Sequence, residues 1–237
     1  MKYPMSPKYP FSNLAGSFLL AAFALIAAPA AEPTLPNETL RYSINWPTGV
    51  SLGEAALSAS SSAAHMHFTF DLDASAPAYA VSDRFRSDAS GSFCSSEFEK
   101  STSHGSKKAA DKETFDSNTG TVTRGSGSGQ AEMSANPCSK DALTFLYFLR
   151  QELSQGRVPP RATVFFGAPY EVRLSLAGTE SIKIGNASMD ADRITATATG
   201  PSSSISFEML FLKDRARTLA VVRVPLALGK FSMELEK

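Results

Sequence analysis

The sequence predicts a mainly β protein: a curved antiparallel meander, an open barrel or half-barrel, with one long apolar helix packed on the concave face. Three observations lead there. Apolar and polar residues alternate with period two over most of the chain beyond residue 39, as half-buried strands do. Turn signals built on Gly, Pro and Asn recur at short, regular spacing, which fits a meander of hairpins. One segment alone, residues 140–154, carries a helical period, and it is apolar most of the way round. A helix of that kind must be covered on more than one side.

The first thirty residues stand apart. Lys2 and Lys8 give a basic start without an acid, residues 17–28 are apolar after one serine, and Ala28-Pro29-Ala30 offers a small-residue cleavage site. This is the pattern of an export signal, and its apolar run is shorter than the ~20 residues that span a bilayer. An uncleaved anchor is the alternative. Residues 1–30 are therefore expected to be a signal peptide, 31–38 a Pro-containing spacer, and 39–237 a single β-rich domain. No second run is long enough to cross a membrane. Loss of the signal leaves 21 basic against 23 acidic residues, a balance that gives no electrostatic case for nucleic acid or acidic lipid.

Strands are expected at residues 40–46 and 50–60, joined by a turn at Pro47 and Gly49, with a bulge at Gly53 where the alternation slips. Residues 65–73 form the next, with Met66, Phe68, Phe70 and Leu72 on one parity. Residues 74–80, with Pro77, read as a loop or helical turn. Strands at 81–90 and 92–100 pair around Gly91, and 107–116 pairs with 119–124. The Gly/Ser-rich stretch 125–130 reads as a polar surface loop. It lacks the preceding buried strand, the GK[ST] ending or GxGxxG spacing, and the following helix of a phosphate loop.

The helix is expected to start from a Ser139 N-cap, with Asp141 in its first turn, and to stop at Gly156 before Pro159 and Pro160. Ala142, Phe145, Leu146, Leu149 and Leu153 form its apolar stripe. Further strands follow at 162–166, 170–176, 180–184, 187–199, 203–212, 218–224 and 230–236. The two cysteines, Cys94 and Cys138, are expected to form a disulfide if the chain is exported. Two free thiols are the alternative. Their spacing, with no CxxC and no nearby His, makes a poor metal site.

Several blocks resemble a known family: the opening Leu40-Arg-Tyr-Ser-Ile-Asn-Trp46, then Gly53-Glu-Ala-Ala-Leu57, Val81-Ser-Asp-Arg-Phe-Arg-Ser87, the helix Asp141-Ala-Leu-Thr-Phe-Leu-Tyr-Phe-Leu-Arg150 after a cysteine, Phe207-Glu-Met-Leu-Phe-Leu-Lys-Asp214, and Gly229-Lys-Phe231. In this order they are similar to exported bacterial proteins of domain-of-unknown-function family 3108. The resemblance implies a curved antiparallel sheet and a place in the periplasm or outer cell envelope of a Gram-negative-type bacterium. It supplies no activity and no catalytic residues. The architecture also looks like that of periplasmic lipoprotein-carrier half-barrels.

Candidate sites are few. His65 and His67 share a strand face at a spacing that suits a metal, but only His104 remains as a third imidazole; two solvent-facing polar residues are the plainer reading. No serine has a recognisable His and acid to activate it. Arg84 and Arg86 share a strand face, and Arg150 lies on the apolar helix, where it needs a carboxylate, a carbonyl or an anionic ligand. Arg84, Arg86, Phe145, Leu149 and Arg150 are therefore the candidate ligand-binding residues. The expectation is a protein without catalytic residues, metal or cofactor. It would bind an apolar or amphiphilic ligand such as a lipid or lipoprotein in its curved sheet, or serve as an assembly protein of the envelope through protein contacts.

Overall fold

The structure is a computed structural model. It describes residues 37–236 except 63, 77–78, 128 and 227–228. The expected signal and most of the spacer lie outside the described residues.

The strands are β1 (Glu38–Asn45), β2 (Ser51–Ser62), β3 (His65–Ala76), β4 (Tyr79–Ser90), β5 (Ser95–His104), β6 (Lys107–Asp116), β7 (Thr121–Ser126), β8 (Gly129–Ser134), β9 (Lys140–Asp141), β10 (Arg161–Phe165), β11 (Pro169–Ile184), β12 (Ala187–Thr199), β13 (Ser204–Leu212), β14 (Leu219–Leu226) and β15 (Gly229–Leu235), with the helix α1 (Ala142–Ser154) between β9 and β10. They form one sheet in the order β8-β7-β6-β5-β4-β3-β2-β1-β15-β14-β13-β12-β11-β10-β9. Two meanders thus meet at the β1–β15 pair in mid-sheet, where Tyr42 faces Leu235 and Ile44 faces Met233. The pairing is antiparallel except at β9–β10, which is parallel.

The sheet does not close into a barrel: β8 and β9 are its two ends. Only residues 135–139 connect those ends, and five residues reach no more than roughly 20 Å. The sheet must therefore curl until its ends approach. The Ser95 amide donates to the Ser139 carbonyl at 3.0 Å, and Cys94 and Cys138 are disulfide-bonded with Cα atoms 4.6 Å apart. The cysteine pair expected from the sequence is thus a fastening between the β4–β5 connection and the start of the helix.

The helix begins at Asp141 rather than Ser139. Ser139 is occupied one turn earlier, its hydroxyl donating to the Asn136 carbonyl and accepting the Asn136 amide. Lys140 and Asp141 are still extended against β10. Asp141 is the cap, its carboxylate accepting the Leu143 and Thr144 amides at 2.8 and 3.0 Å. The other end behaves as expected. Gly156 adopts φ +73°, its amide and that of Arg157 return to the Leu153 and Glu152 carbonyls, and the left-handed turn stops the helix.

Other expectations are revised by hydrogen bonding that turn-like composition concealed. Residues 125–126 and 129–130 are not a loop but the paired ends of β7 and β8, with Gly125 facing Gln130. Residues 74–76 and 79–80 are paired ends of β3 and β4, in which Ala76 faces Tyr79. The segments 170–176 and 180–184 are one strand, β11, irregular between Leu176 and Thr179. The bulge near Gly53 is present: Ile44 faces Gly53 and Asn45 faces Ser51, leaving Leu52 extra. A side chain at Gly53 would place Cβ 2.0 Å from the Asp73 carbonyl oxygen, so only glycine lets β2 and β3 approach there.

One core fills the space between α1 and the sheet. Tyr147 stacks on Phe68 with centroids 4.3 Å apart, Phe148 meets Phe93 edge-on, and Leu143, Leu149 and Leu153 are buried. The helix is covered on several sides, as its circumference of apolar residues requires.

Candidate functional site

The strands that curl past the helix leave an apolar cavity of about 790 Å³, within the size range of small-molecule sites. Alternation makes it. Along β11, β12 and β13 the residues Tyr170, Val172 and Leu174, Ala196 and Ala198, and Ile205, Phe207 and Met209 turn to one face. Thr195 and Thr197 turn to the other and bond Ser175 and Ser206. Ala196 lies between Leu174 and Phe207, and Ala198 between Val172 and Ile205. The small residues on β12 thus leave a furrow flanked by larger ones. Phe145, Leu146 and Leu149 of α1 roof it, and Leu57, Phe70 and Phe85 close it from the other meander.

The cavity runs from dry to wet. At its inner end Leu57, Leu149 and Leu219 are 1%, 0% and 1% exposed; at its rim Ile205 and Leu226 are 40% and 52% exposed. Among the described residues no charged one lines it. The lining hydroxyls belong to Tyr170, Ser203 and Ser204, and the Tyr170 and Ser203 oxygens are 3.3 Å apart.

Beside the cavity lies a buried polar seam. Asp141 is fully buried. Its Oδ2 accepts the hydroxyls of Ser87, Ser95 and Thr144 at 2.7, 2.5 and 2.8 Å. Burial raises its pKa, while these bonds pull the other way. Glu113 is also fully buried, and no donor meets hydrogen-bond geometry at either carboxylate oxygen. Burial pushes its pKa up to about 7, against the partial pull of the nearby Gly167 amide, Lys100 and Arg124. Neither acid lines the cavity.

The family model described as "Protein of unknown function (DUF3108)" matches residues 41–236. The chain belongs to this family. No curated protein matches it. Among solved structures it is similar to the beta-barrel-like protein of domain of unknown function DUF1849 from Brucella abortus, at 8% identity and a TM-score of 0.64, over 86% of this chain and 98% of that one. At that identity the likeness concerns the fold alone.

In this DUF3108 protein the residues singled out from the sequence separate into two groups. Phe145 and Leu149 line the cavity. The three arginines do not. Arg84 and Arg86 alternate with Phe85 and so face away from the helix, held by Asp71 and Asp73; Arg86 reaches Asp71 at 2.8 Å and Arg84 reaches Asp73 at 2.5 Å. Arg150, 2% exposed, is engaged by the Glu38 carboxylate and by the Ala216 and Arg217 carbonyls. It found two of the partners its position demanded, a carboxylate and backbone carbonyls.

The histidines are not gathered. His65 and His67 are exposed, with His67 paired to Asp88 and His104 to Asp83. Among the described residues no group of three or more His, Cys, Asp or Glu is placed to hold a metal. The rim residues Tyr170 and Ser203 carried no sequence signal beyond strand alternation and a turn. Gly200 was the available hint: a Cβ there would lie 2.4 Å from the Tyr170 ring, so the glycine lets that ring lie against the turn.

Proposed function

We propose that the chain is an exported, non-catalytic protein of the cell envelope that holds an apolar or amphiphilic ligand between α1 and the sheet. The observation that carries this reading is the 790 Å³ cavity without a charged lining residue. A space of this size lined by apolar side chains with a few polar groups is what small-molecule sites have in common. The Cys94–Cys138 disulfide supports an oxidising compartment, and the signal-like first thirty residues support export. A lipid or the acyl part of a lipoprotein has the required chemistry.

The test is native mass spectrometry of the protein isolated from its own periplasm, with displacement of an uncharged fluorescent acyl probe in parallel. Retained lipid and saturable displacement are expected, and Ala198→Trp, which fills the furrow, should abolish both while the disulfide and circular dichroism stay unchanged. A protein that carries no lipid and binds no probe overturns the reading.

A second reading, an envelope assembly protein, has one observation in its favour. β8 ends the sheet with its outer edge unpaired among the described strands, and free edges accept added strands. Co-purification of a defined partner that is lost when Glu132, whose N–H points away from β7, is replaced by proline would favour it.

A further inference from the structure

We infer that the cavity takes a single-chain lipid whose neck is uncharged, an acylglycerol or a long-chain alcohol, chain inward, and that it selects against a free carboxylate or phosphate at the same position. The inference rests on the ligand-binding reading above and narrows it.

The gradient along the cavity fixes the orientation. The inner end is dry and wholly apolar, so only a hydrocarbon end belongs there, since a polar group buried without a partner costs ~2 kcal/mol or more. Among the described residues the rim supplies the only polar side chains, the hydroxyls of Tyr170, Ser203 and Ser204. Ser204 is engaged across the strand pair with Thr199 at 3.2 Å. Tyr170 and Ser203 share a longer contact of 3.3 Å, and each hydroxyl can both donate and accept. Such a pair suits an ester carbonyl or an alcohol.

An anionic neck finds no counter-ion. No Lys or Arg lines the cavity, and nearby cations are committed: Arg150 to Glu38, Lys100 to Asp111 and the Phe166 ring, and Lys230 to Glu208. Ile205 and Leu226 add apolar surface at the opening, which an ionised group must cross or displace from water. A charge there forfeits hydration without compensation, whereas a neutral oxygen exchanges water for hydroxyls at little cost.

The experiment uses the purified protein at about pH 8, where a fatty acid is ionised. A monoacylglycerol, a long-chain alcohol, a fatty-acid anion and a lysophosphatidylglycerol of one chain length compete against an uncharged fluorescent acyl probe. The two neutral lipids are expected to bind about tenfold more tightly than the two anions, which give up hydration at a rim that offers no counter-ion, and their binding should be insensitive to salt. Tyr170→Phe with Ser203→Ala should weaken the two neutral lipids about tenfold, the worth of one hydrogen bond to the neck. Ile205→Lys, at an exposed position where folding is not at risk, should tighten the anions about tenfold by supplying the absent cation. Anions that bind as tightly as neutral lipids in the native protein overturn the inference while leaving a general ligand site standing, as does neutral-lipid binding unchanged in the double variant. Failure of all four lipids and the probe overturns the ligand-binding reading and this inference with it.

Discussion

Ser95 and Asp141 hold one another twice. The serine hydroxyl donates to the carboxylate at 2.5 Å, and the same oxygen accepts the Asp141 amide at 2.8 Å. One residue opens β5 and the other caps α1, so this reciprocal pair joins the helix to the opposite limb of the curled sheet. Ser87 and Thr144 complete the ring around the same carboxylate. The cap of the helix is thus also the point where the two meanders are tied.

Asp141→Ala should therefore cost more than an ordinary cap. Loss of an N-cap is worth about 1 kcal/mol, and the buried Ser and Thr hydroxyls left without their acceptor add to it, for a total of about 3 kcal/mol. Asp141→Asn keeps an acceptor oxygen for the amides and should lose roughly half of that. Urea unfolding at neutral pH measures both. Equal, sub-kilocalorie losses would show that the network contributes no more than a surface cap.

The disulfide lies a few residues from this pair. It closes a separation of 44 residues, and in a chain-entropy account the cross-link stabilises by about 4 kcal/mol through the unfolded state. Cys94→Ser with Cys138→Ser should lower the urea midpoint accordingly, and reduction of the native protein should match it. Ser95 to Asp141 bonding would persist in the folded variant, so the far-ultraviolet spectrum should be unchanged. A midpoint that does not move on reduction would remove the fastening role.

Arg150 and Glu38 make a buried pair that joins α1 to β1. Glu38→Leu leaves the guanidinium buried with two backbone carbonyls and no counter-ion, and should destabilise by about 3 kcal/mol. Replacing both, with Glu38→Leu and Arg150→Met, removes the charges together and should restore much of the loss. A double-mutant cycle in urea gives the coupling. A double variant as weak as the single would mean that the arginine serves chiefly through its carbonyl contacts.

What the sequence made legible follows from locality. Strand alternation, the helical stripe and the Gly156 stop depend on neighbours in the chain, and they appear where expected. The cap was displaced by two residues because Ser139 and Asp141 are both good caps by type, and only the pairing of Lys140 and Asp141 with β10 decides between them. β8 was hidden because the run of glycines and serines that leads into it looks like a loop until β7 is beside it. Partners 112 residues apart in sequence, such as Arg150 and Glu38, carry no local signal, and Glu38 fell in the expected spacer. The cavity was foreshadowed by Phe145 and Leu149, while its rim comes from strand ends that meet only in the fold. Glu113 looked like any polar position in an alternating strand.

That residue gives the protein a pH dependence with a definite sign. Its carboxyl is raised from an ordinary 4.5 to about 7, chiefly by burial. Between those values the folded protein keeps a proton that the unfolded chain has released, so stability falls as pH rises. The stability is intact below about pH 4.5 and is lost through pH 7, by about 3 kcal/mol in all. Asp141, also raised by burial, adds a slope of the same sign. Carboxylates held low by arginines, such as Asp73 beside Arg84 and Glu152 beside Arg157, act with the opposite sign and at lower pH. Glu113→Gln keeps a neutral polar group of the same shape. It should leave stability near pH 4.5 almost unchanged and raise it progressively above, until it exceeds the native protein by up to about 3 kcal/mol at pH 8. Urea midpoints measured from pH 4.5 to 8 on both proteins check this, and two parallel curves would show that Glu113 titrates near its ordinary value, with water reaching a carboxylate that the fold places out of contact with solvent.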